Sequence, residues 1–177
     1  ISENTMVAFC SDNGPEGSDN APGKQGPFRG RKRSLYEGGV RVPSLIEWPI
    51  KIKPGSSSEV TSCTVDYFPT IMEIVGFEMP DERPIDGISL LPLLDGKMEA
   101  RPQPLAFHIK GKAAWHDGEW KAVKDGNGTD WQLFHLEADP KEENNLAESQ
   151  SDRLKAMVAE WQKWKTSVET SDQGADY

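Results

Sequence analysis

The sequence has few cysteines, no long apolar run and fewer basic than acidic residues. No stretch approaches the ~20 consecutive apolar residues that a membrane-spanning helix needs, which argues against a membrane partner. Acidic residues outnumber basic ones by 29 to 20, and the net charge of -9 argues against general attraction to nucleic acid. The first residues lack the basic start and apolar core of a signal peptide, so this sequence does not encode a location by itself.

The side chains that usually mark a complete catalytic centre are also missing. The two cysteines, Cys10 and Cys63, form neither a CxxC pair nor a Cys/His cluster with zinc spacing, and we expect both to be buried thiols. The three histidines, His108, His116 and His135, lack the spacing of a metal triad, which favours packed or surface positions. No Gly-x-Ser-x-Gly elbow and no Walker-type phosphate loop is present. The chemistry within this chain is therefore incomplete.

The first half of the chain has the pattern of an α/β domain. The apolar run Thr5–Cys10 predicts a strand buried on both faces of a parallel sheet, and Val42–Trp48 predicts a neighbouring strand. The segment between them, residues 14–39, is rich in Gly, Pro and charge, which predicts a long loop of the kind that often carries function. Asp66 as an N-cap and Gly76 as a stop signal then predict a short helix.

The second half predicts a separate subdomain. Pro and Gly residues punctuate the chain near residue 100, and we place a boundary there, between domains 1–100 and 101–177. An Asp117-Gly118 pair joins two of four short runs with aromatic residues, which predicts a four-stranded antiparallel meander. From Ser151 to about Val168, apolar residues recur every three or four positions, so we expect a helix that packs across the meander. The four predicted strands are Leu105–Ile109, Ala113–His116, Glu119–Lys124 and Trp131–Leu136.

Asp12 and Asn13 directly follow the first predicted strand. Ligands of open α/β sheets bind outside the carboxyl ends of strands, and a carboxylate beside an amide carbonyl offers hard oxygen ligands to Ca²⁺ or Mg²⁺. The alternative is an ordinary turn, because Asp-Asn-Gly is also a common turn sequence. The local pattern by itself favours the turn, since a long loop follows the strand rather than a partner strand.

Four of the five residues in Arg29–Arg33 are cations, within an acidic chain. Such a cluster could bind a sulfate, a phosphate or a polyanion. The alternative is a solvated loop tip, which is the usual state of an isolated charged run. Its position in the loop that begins at Asp12 and Asn13 favours binding, because one crevice could receive both segments.

Two long motifs occur in a defined order along the chain. One is the strand that ends in Asp-Asn-Gly, Val7–Gly14, and the other is Phe28–Pro43, which contains Arg-Gly-Arg-Lys and later Tyr-Glu-Gly-Gly-Val-Arg-Val-Pro. Both resemble motifs of the type I sulfatases, members of the alkaline-phosphatase superfamily, and their separation is the expected one. Shorter matches extend the resemblance over nearly the whole chain, at Trp48-Pro49, Asp66–Thr70, Asp86–Pro92, Asp117–Lys121, Leu133–Leu136, Asp139-Pro140 and Glu143–Ala147.

The resemblance implies roles for three residues. Asp12 and Asn13 would be ligands of a divalent cation, usually Ca²⁺ and alternatively Mg²⁺, and Lys32 would contact the sulfate group and the catalytic aldehyde hydrate. That aldehyde is a formylglycine made from the Cys or Ser of a Cys/Ser-x-Pro-x-Arg motif, which this chain does not contain. Arg31 and Arg33 stand where family members often have Gly. The resemblance therefore implies a partial active site whose nucleophile belongs to a missing N-terminal part.

The resemblance also implies a fold and a function. The expected fold class is α/β, the C-terminal part of a sulfatase sheet domain followed by a small antiparallel subdomain with a packed C-terminal helix. The expected function is hydrolysis of sulfate esters of a sugar or an aryl alcohol, as a C-terminal fragment that is inactive alone. Two alternatives stay open: a noncatalytic module that binds sulfated glycans through Arg29–Arg33, and a phosphate or phosphonate ester hydrolase of the same superfamily.

Expected partners and location come from the same resemblance. The partner would be a sulfate-ester small molecule or a sulfated glycan, and neither nucleic acid nor a membrane. The resemblance implies a periplasmic, secreted or lysosomal location. We also expect the isolated chain to self-associate, because its predicted strands would expose an unpaired edge and apolar faces.

Overall fold

The structure is a computed structural model that describes residues 1–18 and 20–176. Short 3₁₀ turns lie at Ser2–Asn4 and Thr64–Asp66. Within the described ranges, no helix is both long enough and apolar enough to cross a membrane. The strands and helices, in chain order, are β1 Val7–Cys10, α1 Glu37–Val40, β2 Ser44–Glu47, α2 Tyr67–Val75, α3 Leu91–Leu94, β3 Leu105–Ile109, β4 Lys112–Asp117, β5 Trp120–Lys124, β6 Gln132–His135 and α4 Ser151–Asp172.

The chain forms two compact units. The first unit contains Ile1–Cys10 and Pro43–Gln103, and the second contains Ser11–Val42 and the chain from Pro104 onward. The boundary predicted near residue 100 lies close to the change of unit in the sequence. The long loop, however, groups with the second unit instead of domain 1–100, because its backbone and side chains bond to the meander.

In the first unit, β1 and β2 pair with each other, but antiparallel, so the predicted parallel arrangement is wrong. Cys10 lies opposite Ser44 at the end where the long loop leaves β1 and enters β2. Parallel neighbours need a crossover that returns the chain to the opposite end of the pair, and this loop returns it to the same end. Phe9 and Leu45 are 63% and 68% exposed, so the predicted burial of these strands on both faces is also not seen in this chain.

The predicted helix after Asp66 is confirmed as α2. It ends at Gly76, whose φ of 67° is left-handed, a conformation that glycine adopts without the steric cost of a Cβ atom. Asp66 does not cap α2 through its side chain. Its buried carboxylate instead accepts hydrogen bonds from Cys63 N at 2.7 Å and Ile88 N at 2.9 Å, and forms a bidentate pair with Arg101 at 2.7 and 2.9 Å. Asp66 therefore links three segments of the first unit, those that contain Cys63, Ile88 and Arg101.

The cysteines are less buried than the sequence predicted. Both are free and half-buried, Cys10 at the end of β1 and Cys63 before α2. Each lies close to Tyr67. Burial raises the pKa of the Tyr67 hydroxyl, and a hydrogen bond with the Cys10 side chain raises it further. Burial of Cys10 is incomplete because β1 belongs to a two-stranded sheet whose surfaces are largely uncovered.

The second unit contains the predicted meander and helix, and both are confirmed. The strand order is β3-β4-β5-β6, and each neighbouring pair is antiparallel. Asp117 and Trp120 lie opposite each other at the β4–β5 turn, where Gly118 has a φ of 58°. Helix α4 packs on β3, β4 and β5 and continues to Asp172, beyond the end predicted near Val168.

Both faces of the meander are buried. Ala122 and Val123 are consecutive in β5, so their side chains point to opposite faces, and neither is exposed. Ala122 clusters with Leu133 and with Met157 of α4, whereas Val123 clusters with Leu35 from the long loop. Helix α4 therefore covers one face and the loop contributes to the cover of the other. Apolar burial, the main favourable term in folding, thus holds the loop on the sheet.

Candidate functional site

The Asp-Asn-Gly segment forms a turn directly after β1. Asp12 is exposed and Asn13 is half-buried. Ser11 Oγ donates to the carbonyl of Asn13 at 2.9 Å, and Asn13 Nδ2 donates to the carbonyl of Gly14 at 3.0 Å. The turn therefore has its own hydrogen bonds and leaves the Asp12 carboxylate at the surface.

Gly14 brings this turn against α1. Gly14 N–H donates to the carbonyl of Gly39 at 2.8 Å. A Cβ atom at Gly14 would lie 1.9 Å from the carbonyl oxygen of Gly38, so this approach of two backbones requires glycine. Lys32 N–H also donates to the carbonyl of Pro15 at 3.1 Å. The segment that follows Asp12 and Asn13 thus lies beside the backbone of Lys32.

Residues 29–38, here termed the Lys32 loop, are closed at their base by α1. Gly38 N–H donates to the carbonyl of Arg29 at 2.7 Å. A Cβ atom at Gly38 would lie 2.2 Å from the carbonyl oxygen of Gly30. The backbone of the loop therefore packs directly against the Glu-Gly-Gly segment of α1.

The cations of the Lys32 loop have different environments. Arg33 is 71% exposed and pairs with Glu16 at 2.5 Å, and Lys32 Nζ lies 3.4 Å from the same carboxylate with a side chain that is 36% exposed. The hydrogen bond from Arg33 lowers the pKa of Glu16, with a smaller contribution from Lys32. One exposed carboxylate thus balances two neighbouring cations.

The other two cations bind backbone carbonyls. Arg31 donates to the carbonyl of Gly23 at 2.8 Å and to the side chain of Gln25 at 2.5 Å. The guanidinium of Arg29 lies 3.8 Å from the ring centre of Tyr36, which is the geometry of a cation–π contact. These arginines hold the loop in shape, so the predicted basic cluster does not act as one uniform patch.

A buried ion network anchors the Lys32 loop to the rest of the second unit. Lys121 of β5 is 1% exposed, and its Nζ lies 2.8 Å from Glu37 and 3.0 Å from Glu142. Glu142 is fully buried, and its Oε2 accepts a hydrogen bond from Glu37 N at 2.6 Å. Burial raises the pKa of Glu142, and the Lys121 ammonium opposes that shift. The sequence motifs contained Glu37 and Lys121 without a role, and Glu142 was missed.

A second anchor lies on the other side of the loop. Asp125 follows β5, and its carboxylate accepts hydrogen bonds from Ser34 Oγ and from Leu35 N, both at 2.9 Å. Lys112 Nζ lies 3.2 Å from Asp125 and donates to the carbonyl of Arg33 at 2.6 Å. The Lys32 loop is therefore attached to the meander at two separate points.

Two histidines lie in the meander, where His108 is exposed in β3 and His116 is half-buried in β4. The rings of His108 and Trp161 meet edge to face with centres 5.7 Å apart. Burial lowers the pKa of His116, and the nearby Glu37 carboxylate opposes that shift. The Lys121 ammonium acts in the same direction as burial. Among the residues that the structure describes, neither ring lies in a cluster with the spacing of a metal site.

The third histidine lies in a surface cluster with the spacing of a metal site. Ligand atoms of Glu119, His135 and Glu137 lie within 4.8 Å of one another. Ala138 N–H, however, donates to His135 Nδ1 at 3.3 Å, so a neutral ring carries its proton on Nε2. Nε2 lies 3.2 Å from Glu119, to which it can donate that proton. This hydrogen bond leaves Nε2 without the lone pair that a metal requires.

The oxygen atoms near the Lys32 loop fit a hard cation only in part. Asp12 offers a carboxylate and Asn13 offers an amide oxygen, which are ligands that Ca²⁺ and Mg²⁺ prefer. Because Ca²⁺ takes roughly six to eight oxygen ligands, these two residues form part of a site and need further ligands.

Comparison with known proteins shows one consistent family. The family described as "N-sulphoglucosamine sulphohydrolase, C-terminal" matches residues 23–167. The chain is 37% identical to steryl-sulfatase of Mus musculus over 134 aligned positions, covering 69% of this chain and 22% of that protein. It is 29% identical to N-acetylgalactosamine-6-O-sulfatase of Bacteroides thetaiotaomicron over 182 aligned positions, covering 89% of this chain and 35% of that protein.

A solved structure shows the same fold. The crystal structure of Ps i-CgsB in complex with k-i-k-neocarrahexaose superposes with a TM-score of 0.81 at 32% identity. The match covers 94% of this chain and 37% of that one, so the chain spans a minor part of its relatives' length. Sequence motifs, fold and family match agree that the chain belongs to the type I sulfatases and corresponds to the C-terminal portion of these proteins.

Proposed function

We propose that this chain contributes the C-terminal part of the active site in a hydrolase of sulfate esters. The observation that supports this most directly is the attachment of the Asp-Asn-Gly turn to the Lys32 loop. Gly14 N–H donates to Gly39 at 2.8 Å, and Lys32 N–H donates to Pro15 at 3.1 Å. The proposed metal ligands and the proposed sulfate-binding cation therefore extend from neighbouring stretches of backbone.

Asp12 and Asn13 are proposed to hold a divalent cation, Ca²⁺ or Mg²⁺. The exposed Asp12 carboxylate supplies the charge, and the Asn13 amide supplies a neutral oxygen. Such a cation withdraws charge from the sulfate oxygens when it is bound. The remaining ligands would come from water, substrate or residues outside this chain.

Lys32 is proposed to bind the sulfate group and to stabilise the negative charge that develops in the transition state. Its ammonium pairs with Glu16 at 3.4 Å, and the two side chains are 36% and 55% exposed. Water and salt screen exposed pairs of this kind, so they contribute little to stability and an anionic substrate can replace Glu16 at little cost. Lys32 is therefore available to an incoming sulfate ester.

The nucleophile is proposed to be a formylglycine outside these 177 residues, because the chain contains no Cys/Ser-x-Pro-x-Arg motif. In this division of roles the formylglycine supplies the group that attacks sulfur. The residues of this chain orient the sulfate group and offset its charge. The chain alone is then inactive.

The proposed substrate is a sulfated sugar. The relative from Bacteroides thetaiotaomicron acts on a 6-O-sulfate of N-acetylgalactosamine by its name, and the structure of Ps i-CgsB contains a neocarrahexaose. The mouse relative is named for a steryl sulfate, which widens the class to other small sulfate esters. Two chemical features recur among these names, a sulfate ester and a carbohydrate chain.

A noncatalytic module that binds sulfated glycans through Arg29–Arg33 has less support. Arg31 binds the carbonyl of Gly23, and Arg29 binds the carbonyl of Glu142 and stacks on Tyr36. A glycan-binding patch would need these guanidinium groups to turn outward, which would break contacts that shape the loop.

The test measures turnover of a matched aryl sulfate and aryl phosphate. We compare this chain alone with a protein that includes the coding sequence upstream of Ile1. We expect chelator-sensitive turnover of the sulfate in the longer protein and none in the chain alone. Chelator-sensitive turnover by the chain alone would contradict the proposed external nucleophile. Faster turnover of the phosphate would instead support a phosphate ester hydrolase of the same superfamily.

A further inference from the structure

The base of the Lys32 loop converges on Glu142, a fully buried residue in the turn after β6. Arg29 Nη1 donates to the carbonyl of Glu142 at 3.0 Å, and Glu37 N–H donates to its carboxylate at 2.6 Å. Asp139 shapes the turn, because Glu142 N–H donates to its carbonyl at 3.1 Å. A single residue therefore holds both ends of the segment that contains Lys32.

Holding Glu142 in this place has an energetic cost. Its φ of 57° is left-handed, which is unfavourable for a residue with a Cβ atom. Its carboxylate and that of Glu37 share the buried ammonium of Lys121, and Glu37 also lies 4.0 Å from the guanidinium of the exposed Arg41. Apolar residues of similar size often stabilise a protein as well as buried ions do. Stability alone is therefore a weak reason for this network.

We propose that Glu142 is a positioning residue that closes the base of the Lys32 loop and so holds the backbone of Lys32 against Pro15, two residues after the Asp12–Asn13 turn. This proposal rests on the proposed function, which gives Lys32 its role in the reaction. Glu142 acts through the backbone of Glu37 and through Arg29, and Lys121 balances its charge. The carboxylate itself has no contact with a substrate in this scheme.

The second anchor makes the proposal testable without unfolding the protein. Asp125 holds Ser34 and Leu35 independently of Glu142, and Leu35 packs in the apolar cluster of the meander. Loss of Glu142 should therefore loosen the base of the loop while the sheet stays folded. The effect is local, which a measurement at single amides can detect.

The experiment measures amide hydrogen exchange in the 177-residue chain with Glu142→Ala and Glu142→Gln. The reporters are the amides of Lys32 and Gly38, whose bonds to Pro15 and Arg29 close the loop. With Glu142→Ala we expect both to exchange faster by on the order of tenfold, with little change in β5. Glu142→Gln should rescue most of the protection, because its amide oxygen still accepts from Glu37 N–H.

Met157→Ala serves as the matched control for lost stability. Met157 packs with Ala122 and Leu133 in the cluster under α4, and it is not part of the cluster that contains Leu35. We expect this substitution to speed exchange in β5 and α4 at least as much as in the loop. Two results would overturn the positioning role. One is equal acceleration of exchange at loop and sheet amides in both Glu142→Ala and Met157→Ala. The other is unchanged exchange at the loop amides in Glu142→Ala.

A kinetic readout separates this proposal from the proposed function. In the longer protein with sulfatase activity, Glu142→Ala should lower kcat by about tenfold or more and change KM little, because misplacing a group that acts in the transition state affects the chemical step. A change in KM alone would contradict positioning. Absence of sulfatase activity in the unsubstituted protein would count against the proposed function, and the exchange result would still decide whether Glu142 holds the loop.

Discussion

Buried charge at Glu142 should make the stability of the second unit depend on pH. Burial raises the pKa of this carboxyl above its ordinary value of 4.5. Between that value and the raised pKa, the folded chain holds a proton that the unfolded chain has lost. The free energy of unfolding should therefore rise as pH falls from neutral through the folded pKa, by up to ~1.4 kcal/mol per pH unit within this window.

Urea unfolding of the parent chain and Glu142→Gln from pH 7 to 4.5 measures this effect. The parent should gain stability relative to the variant as the pH falls. His116 has the opposite influence, because its lowered pKa disfavours the charged ring and removes stability as pH falls below about 6.5. His116 is present in both proteins and Glu142 is not among the groups that shift its pKa, so its contribution is common to both stability curves. Parallel stability curves for the two proteins would show that Glu142 does not titrate as stated.

Asp12 should affect cation binding more than the reaction step. With Asp12→Ala in the longer protein, we expect weaker Ca²⁺ affinity and activity that added Ca²⁺ partly restores, because one charged ligand is lost. Calorimetric titration and activity at several Ca²⁺ concentrations provide the measurement. Glu3→Ala is a matched control, since it removes an exposed carboxylate from the first unit. Unchanged Ca²⁺ affinity in Asp12→Ala would remove this residue from the proposed metal site.

The sequence marks the residues that are proposed for chemistry more clearly than the residues that hold them in place. Asp12, Asn13 and Lys32 stand in motifs that resemble those of a known family. The sequence gives no comparable indication that Glu142 is buried, because charged residues are usually exposed and the neighbouring Glu143 is equally acidic. Only tertiary structure reveals that one of these two glutamates is fully buried against Lys121.

Among the elements, those with a strong local pattern were predicted well. Apolar spacing identified α4, and the Asp117-Gly118 pair identified the β4–β5 hairpin. The direction of β2 relative to β1 was wrong because strand orientation depends on the path of the connection, which local pattern does not encode. Helix α1 was missed because it is four residues long and contains two glycines, which are poor helix formers.

The contact between α1 and the Lys32 loop should be sensitive to one methyl group. With Gly38→Ala, the new Cβ atom would lie 2.2 Å from the carbonyl oxygen of Gly30, so the backbones must separate. We expect a loss of ~1–3 kcal/mol in the free energy of unfolding by urea, as for other overpacked sites. Gly126→Ala is the control, because its Cβ would meet Thr129 at an ordinary 3.5 Å. Equal effects of both substitutions would contradict the close packing of α1.

At the scale of the whole molecule, the first unit exposes apolar side chains that are usually covered. On α2, Phe68, Ile71 and Val75 lie on one face and are 53%, 49% and 67% exposed. The chain covers only 22% of the mouse steryl-sulfatase and 37% of Ps i-CgsB, so the relatives have much more chain to cover comparable surfaces. We expect the isolated chain to self-associate through such apolar faces.

Sedimentation velocity over a range of concentrations measures this association. The weight-average sedimentation coefficient should rise with concentration, and it should rise less in a Phe68→Gln, Ile71→Gln variant. Lys155→Gln and Lys163→Gln, at exposed positions of α4, give a matched control. A monomer at every concentration would show that these faces do not drive association.

Lys32 is proposed to act on the sulfate group, whereas its neighbour Arg33 only pairs with Glu16 at the surface. The most direct measurement is kcat for an aryl sulfate in the longer protein with Lys32→Ala and, separately, Arg33→Ala. Both side chains pair with Glu16, and Arg33 is the more exposed, so the two substitutions remove the same charge from adjacent positions. We expect Lys32→Ala to lower kcat by on the order of 10² or more at unchanged metal content, and Arg33→Ala to cause only a small, salt-sensitive loss. Equal, small and salt-sensitive losses in both variants would contradict a specific role for Lys32.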